Sequence, residues 1–447
     1  MKAPTVSLAA ALTRRQFLRR TAVAAAGGAA LPQLLPSGVL AANGQPGAND
    51  RIGVGFVGIG RQATNDLEIL LRLPQAKFVA VADVNLNRAQ AAAAKHGAVA
   101  MKDFRQLLDR RDVDAVLTAT PEHWRGPIVI QSCQAGKDLY VEKPMSLTIR
   151  EGRLMVEAVR KYQRVLQTGS QQRSMWANVA GCKLIRDGGL GKVTRIIAYN
   201  YPTPWNYGLP GEKVPDGLDW EMWCGPNPLV PYNKDLYLPR ANPGWLSFRP
   251  YSGGEMTGWG AHGFDQVQWA LGMDDSGPVE IWTEGPKFDP PTYTASEPKD
   301  RGDTICRVPT VFMRYPNGAV MELAGTTSSL MGGATFIGEN GKVTITRGHC
   351  DSDPEDLALE ALSKRPRGFN DNHVKNWLDC IRSREKPLAD VEIGHRSATV
   401  CHLGNIARWT GRRLKWDPVR EIFPDDQEAN QYLDRKRRKP WTLPEKV

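Results

Sequence analysis

The sequence predicts an α/β protein. A doubly wound parallel sheet fills its first third, and an α+β domain with a large, open, mainly antiparallel sheet follows. Three observations carry this. Short apolar runs alternate with helix-length stretches between residues 52 and 143. Beyond Gly191 come strand-like runs joined by the turn signals Pro-Asn-Gly (316–318) and Glu-Asn-Gly (339–341). The 447 residues, 41% hydrophobic and 24% charged, suffice for two or three buried cores and differ from a disordered or polytopic membrane chain.

The N-terminus is read apart from the fold. Residues 13–19 are Thr-Arg-Arg-Gln-Phe-Leu-Arg, an Ala/Gly-rich run follows from Thr21 to Ala30, and Gly38–Ala42 ends in small residues. This resembles a twin-arginine (Tat) export signal over residues 1–42, followed by a polar linker at 43–50. It implies the Tat machinery as a partner and a periplasmic or otherwise exported protein. Pro32, Pro36 and the glycines leave no run near the ~20 apolar residues that span a bilayer. Tat substrates cross already folded, so a ligand acquired in the cytoplasm would be tightly held. The seven scattered cysteines form no Cys-x-x-Cys pair, so neither a disulfide framework nor a metal site is expected, only small buried residues. The net charge of +10 is concentrated in the leader and at Arg435–Lys439. The body between them is near neutral, which excludes a nucleic-acid surface. The basic tail reads as a solvated end.

The first apolar run, Ile52–Val57, leads into Gly58-Ile59-Gly60-Arg61-Gln62-Ala63, then a helical stretch from Asp66 to Leu73, then a second run ending at Asp83. Gly58 permits a tight turn, Gly60 lets the backbone approach a pyrophosphate, and Ala63 allows close helix packing. The helix N-terminus meets the phosphates with free amides, and an acid at the end of the second strand binds the adenosine ribose. The context of strand, helix and acid raises the motif above a chance Gly-x-Gly. Asp83 would repel a 2′-phosphate and so favours NAD over NADP, with Arg88 near enough to keep NADP open.

The rhythm continues through Val113–Thr120 into Thr120-Pro121-Glu122-His123-Trp124, a helix over 128–135, and Asp138–Val141 into Glu142-Lys143-Pro144. Ligands of such sheets lie beyond the strand C-termini, where these motifs fall. Together with Gly169-Ser-Gln-Gln172 and Gly253–Asp265, these motifs resemble the Gfo/Idh/MocA family of NAD(P)-dependent oxidoreductases across most of residues 50–410. The resemblance implies a Rossmann domain at 51–173, a substrate and oligomerisation domain at 174–410 and an extension at 411–447. It also implies a homo-oligomer, dimer or tetramer.

Strands are expected at 192–201, 278–282, 304–315, 319–327 and 334–346, and two helices at 372–384 and 394–409. Ten prolines between Pro202 and Pro250 predict a long irregular segment. Eight of thirteen tryptophans lie in 176–282; most are expected in the core, one or two against a ligand.

Oxidising a secondary alcohol sends a hydride to nicotinamide and a proton to a base. Lys143, beside a positive ring and partly desolvated, would have a lowered pKa and bind the hydroxyl. The resemblance makes His262 the general acid/base, yet many members carry aspartate where this chain has Gly258. Cofactor contacts are expected from Gly58, Ile59, Gly60, Arg61, Gln62, Asp83, Thr120, Pro121, His123, Glu142 and Lys143. Substrate contacts are expected from Gln171, Arg173 and Asp265, with Glu255 a further acid nearby. His395 and His402 are given no role. An exported enzyme has no NADH-reoxidising pool, so a second hydride acceptor is one reading. A redox-neutral glycosidase or lyase is another, and a non-catalytic sugar-binding protein a third. The substrate class is a sugar, sugar acid, cyclitol or glycoside.

Overall fold

Six parallel strands form the first sheet, the central ones buried on both faces, with helices returning the chain between most of them. They are β1 (Ile52–Val57), β2 (Ala76–Ala82), β3 (Val99–Met101), β4 (Ala115–Thr118), β5 (Asp138–Val141) and β6 (Leu166–Thr168), in the order β3-β2-β1-β4-β5-β6. The order reverses between β1 and β4, and that switch point opens the crevice where the motifs collect. The computed structural model describes residue 47 and residues 50–238, 243–290, 292–295 and 299–447. The leader read at 1–42 lies outside the described residues, as does most of the linker. Residues 52–447 form one compact unit. No helix among the described residues is long and apolar enough to cross a membrane.

The second sheet has eight strands: β7 (Arg195–Tyr199), β10 (Glu280–Glu284), β12 (Thr310–Arg314), β13 (Val320–Gly325), β14 (Ala334–Gly338), β15 (Gly341–Thr346), β16 (His349–Asp353) and β17 (Leu414–Lys415). Their order is β16-β15-β14-β7-β13-β12-β10-β17, antiparallel throughout except for the β7/β13 pair. Burial alternates along β12 and β13, so one face packs inward. Ile196, Met321, Leu323 and Phe336 on that face meet Phe264 and Val267 of helix Gly260–Ala270 and Val400, Leu403 and Ile406 of helix Val391–Thr410. Each such side chain contributes about 1.5–3 kcal/mol through removal from water.

Three expectations are corrected. The strand read over 304–315 is a helix, Lys299–Ile305, followed by β12. Pro309 has no N–H to give a ladder, so the strand starts beyond it. The proline-rich segment is not wholly irregular. It holds helices Trp220–Cys224 and Lys234–Tyr237 and strands β8 (Trp205–Tyr207) and β9 (Phe248–Arg249), which form a small parallel sheet with β11 (Thr292–Tyr293) from farther along the chain. An aromatic cluster supports it, with Trp220 stacked on Trp223 at 4.5 Å and Trp205 on Tyr293 at 4.1 Å. Of the eight tryptophans in 176–282, Trp205, Trp220, Trp223 and Trp282 are buried, and Trp176, Trp245, Trp259 and Trp269 are half-buried.

The basic tail is docked, not solvated. Arg435 and Arg437 each donate at 2.9 Å to Glu151, which is fully buried on helix Ile149–Lys161. Arg438 reaches Gly225 O at 3.1 Å, and Trp441 packs edge-on against Trp124 at 4.7 Å. The intervening Lys436 and Lys439 face solvent. A buried carboxylate is stable only when paired, which draws the arginines inward. Arg437→Ala is expected to cost about 2 kcal/mol, the worth of charge-assisted hydrogen bonds to a buried group, read as a lower urea midpoint. All seven cysteines are buried and free.

Candidate active site

The glycine-rich turn is built for close approach. Gly58 has φ +77°, and a Cβ there would stand 2.8 Å from Thr120 Cγ2, so only glycine fits between β1 and the exit of β4. At Gly60 a Cβ would meet nothing within 4 Å, leaving the backbone open to the crevice. Helix Arg61–Leu70 starts there with no side-chain cap and no acid in its first turn, so its free amides suit an anion. Asp83, at the end of β2, accepts from Ile59 N at 2.9 Å and Asn85 N at 2.8 Å and so ties the turn to the second strand. Arg88 lies 3.7 Å from Asp83 and donates to Tyr237 Oη at 2.8 Å, which commits it between those two groups.

A cleft of about 1330 Å³, counted out to its open mouth, runs from this turn to Lys143. Gly58, Gly60, Arg61, Gln62, Asp83, Thr120, Pro121, Glu142 and Lys143 line it together, joined by Trp223, Tyr237, Trp245 and Gly258. Ile59 contributes its main chain through Asp83.

Lys143 is held from behind. The buried Arg125 donates to Thr120 O at 3.0 Å and Glu142 O at 2.8 Å, and also to Pro144 O, clamping the two strand exits together. The Lys143–Pro144 peptide is cis. Glu142 is buried and accepts from Lys143 N at 3.1 Å and Gln171 Nε2 at 2.6 Å. Burial pushes the Glu142 carboxyl up, against the pull of Lys143 and Arg125. Asp66 is raised further by its own burial and then by Glu142. From this base Lys143 Nζ donates to Gly258 O at 3.2 Å. Gly258 itself sits in a segment hung on Glu122, whose buried carboxylate accepts from Ser252 Oγ at 2.6 Å, Gly253 N at 3.1 Å and Thr257 Oγ1 at 3.2 Å. The first domain thus positions the loop that meets its own lysine.

His262 lies in the first turn of helix Gly260–Ala270, nearly buried, with Nε2 3.5 Å from Arg347 Nη1. A guanidinium has no lone pair, so the contact makes Nε2 the acceptor. A Cβ on Gly258 would come within 2.6 Å of Glu255 Oε2, so that carboxylate fills the space beside the glycine. Among the described residues no cluster of three His, Cys, Asp or Glu is arranged to hold a metal.

Three residues expected to touch ligand, Arg173, Asp265 and His123, are buried in the fold and do not line the cleft. Arg173 and Asp265 pair with each other at 2.9 Å, their side chains 2% and 1% exposed, and Ser397 and Asp274 complete the cluster. Two carboxylates draw the guanidinium inside, so neither residue offers an atom to a substrate. His123 is fully buried, bonded to Trp223 O at 2.8 Å and packed against Trp223 and Tyr251, because the first turn of its helix points into the aromatic cluster. Gln171 is half-buried, and its Nε2 donates to Glu142 and to Tyr140 Oη at 3.3 Å. Glu122, Arg125 and Arg347 were missed. Glu122 stood in a motif already singled out, whereas Arg125 and Arg347 gave no local signal.

Residues 52–170 match the profile described as "Oxidoreductase family, NAD-binding Rossmann fold", and residues 182–443 that of "Oxidoreductase family, C-terminal alpha/beta domain". The chain belongs to the Gfo/Idh/MocA oxidoreductase family. This Gfo/Idh/MocA chain is 33% identical to an inositol 2-dehydrogenase of Rubrobacter xylanophilus over 147 residues, 32% of this chain and 42% of the relative. It is 31% identical to a glycosyl hydrolase family 109 protein of a Shewanella strain over 125 residues, 26% of this chain and 27% of the relative. It thus spans less than half the length of these curated relatives. Its fold is like that of the WlbA dehydrogenase of Bordetella pertussis, solved with NADH and UDP-GlcNAcA (TM-score 0.57, 20% identity, covering 82% of this chain and 99% of that one).

The cofactor of this Gfo/Idh/MocA protein is NAD, and the open backbone at Gly60, the uncapped helix and Asp83 fit it. Asp83→Ala removes the tie to Ile59 together with the carboxylate in the cleft. It is expected to weaken NADH binding tenfold to about a hundredfold, measured by fluorescence titration.

Proposed function

We propose that this protein is an exported NAD-dependent oxidoreductase that oxidises a secondary hydroxyl on a sugar, sugar acid, cyclitol or glycoside while holding its cofactor tightly. One observation carries the reading: an ammonium, Lys143, is clamped through Arg125 at one part of a cleft whose other part presents Asp83 and an uncapped helix. NAD, when bound, supplies the hydride acceptor. Gly58, Gly60, Arg61 and Gln62 hold its phosphates, Asp83 the ribose, and Thr120, Pro121 and Glu142 border the ring. Lys143 then binds the reacting hydroxyl and steadies the developing alkoxide, and His262 takes the proton. The twin arginines of the leader support export.

A second reading rests on the family 109 relatives: transient oxidation, elimination and re-reduction with no net redox change. Incubating the NAD-loaded protein with a sugar and glycoside panel separates the two. NADH absorbance that rises without bond cleavage supports the oxidoreductase, and released aglycone without net NADH supports the second reading. Neither signal from any compound overturns both.

A further inference from the structure

Arg347 stands apart from the networks that brace the fold. With Gly348 it forms the two-residue turn between β15 and β16, and Gly348 takes the left-handed conformation such turns need (φ +73°). The fully buried Asn178 grips this turn from both sides: Oδ1 accepts from Gly348 N at 2.9 Å, and Nδ2 donates to Thr346 O at 2.8 Å. The same amide donates to Gln266 Oε1 at 2.8 Å, on the helix that carries His262. One buried amide pair therefore sets the turn presenting Arg347 and the helix presenting His262 in register.

No carboxylate among the described residues lies within ion-pair distance of Arg347. Its contact is His262 Nε2 at 3.5 Å, and the acid that most favours its charge is Glu142, already bonded to Gln171 and Lys143 N. A fixed cation against an imidazole opposes protonation of that imidazole. An anion beside the guanidinium would offset that opposition, and its planar fork matches a carboxylate in two parallel hydrogen bonds.

We infer that Arg347 is the specificity-determining residue of this site and that it binds the carboxylate of a sugar acid, seating the reacting hydroxyl toward Lys143 and His262. The bound carboxylate offsets the Arg347 charge beside His262 Nε2, so binding of the correct substrate favours proton uptake there. This inference rests on the reading under Proposed function and narrows its substrate class.

The test uses the full NAD-loaded protein with three matched compounds: glucose, glucuronate and glucose 6-phosphate, with galactose and galacturonate as a second pair. The expected result is a kcat/KM for a uronate tenfold to about a hundredfold above that for its neutral parent, with Arg347→Gln collapsing the ratio toward one. Calorimetry with NADH-loaded protein is expected to show uronate binding weakened about tenfold or more in the variant, independent of turnover. Arg347→Lys, which keeps the charge without the fork, is expected to fall between. NADH titration of each variant reports that it is folded. A neutral parent preferred over its uronate, the phosphate preferred over the carboxylate, or a ratio unmoved by Arg347→Gln overturns the inference and leaves the oxidoreductase reading standing. NADH bound but no sugar of any kind turned over overturns the oxidoreductase reading, and the inference falls with it.

Discussion

Lys143→Met is expected to lower the rate of NADH formation by about a thousandfold while NADH still binds, because a preorganised donor aimed at developing charge contributes about 10²–10³-fold and this one also orients the reacting hydroxyl. The argument is geometric. Arg125 pins the main chain on both sides of Lys143, Glu142 accepts from its N–H, and Nζ meets Gly258 O at 3.2 Å, so the ammonium is held at the cleft wall. Methionine keeps the stem and its packing but removes the charge and the exchangeable proton. Lys143→Arg makes the sharper case. It retains the charge, yet the larger planar guanidinium cannot place its donors where the compact ammonium sits against Gly258 O, so it is expected to fail nearly as badly. Stopped-flow single turnovers on NAD-loaded protein check both variants. A methionine variant within tenfold of wild type would remove Lys143 from the chemistry.

The second large effect is on stability in acid. His123, His373 and His402 are buried, and each places Nε2 against a main-chain carbonyl: Trp223 O at 2.8 Å, Thr168 O at 2.9 Å and Ser146 O at 3.1 Å. A carbonyl only accepts, so the proton sits on Nε2 of a neutral ring. Burial depresses them to about 3, about 4 and about 4, from 6.5. The unfolded chain then takes up protons that the folded chain refuses. Stability is full above pH 6.5 and is lost as the pH falls toward 4, at about 1.4 kcal/mol per pH unit for each histidine, or about 2 kcal/mol each at pH 5. The raised carboxylates Asp66, Glu122, Glu142 and Asp265 act in the opposite sense, being steadied by protonation. They are common to wild type and variant, so a difference measurement isolates a histidine. Urea unfolding of wild type and His373→Gln between pH 7 and 4.5 is expected to give slopes differing by one histidine's share. Equal slopes would mean that His373 is not held neutral.

Local patterns carried the first sheet far. β1, β2, β4 and β5 were legible because a strand buried on both faces must be a continuous apolar run, and the turn at Gly58–Gly60 because only glycine suits its backbone. The Asn-Gly turns likewise announced the hairpin of β14 and β15, and Asp83 and Lys143 fell at strand ends where their neighbours said they would. β3 was not read, since three residues with partial burial leave no periodic signal.

What escaped were partnerships between residues far apart in the chain. Arg173 and Asp265 look like polar residues bound for a substrate, and only the fold shows them neutralising each other 92 positions apart. The arginines of the tail look like a solvated end until Glu151, almost three hundred residues earlier, is seen buried beneath them. Arg347 carried no motif at all, and became meaningful when Asn178 and Gln266 set its turn beside His262. By itself the sequence determined the nucleotide turn, the lysine at the strand exit and the class of fold, because backbone conformation and burial periodicity are written in neighbouring residues. The tertiary structure decided which charges face the cleft and which cancel inside, because desolvation makes a charge seek whichever partner the fold brings within reach, however distant in sequence.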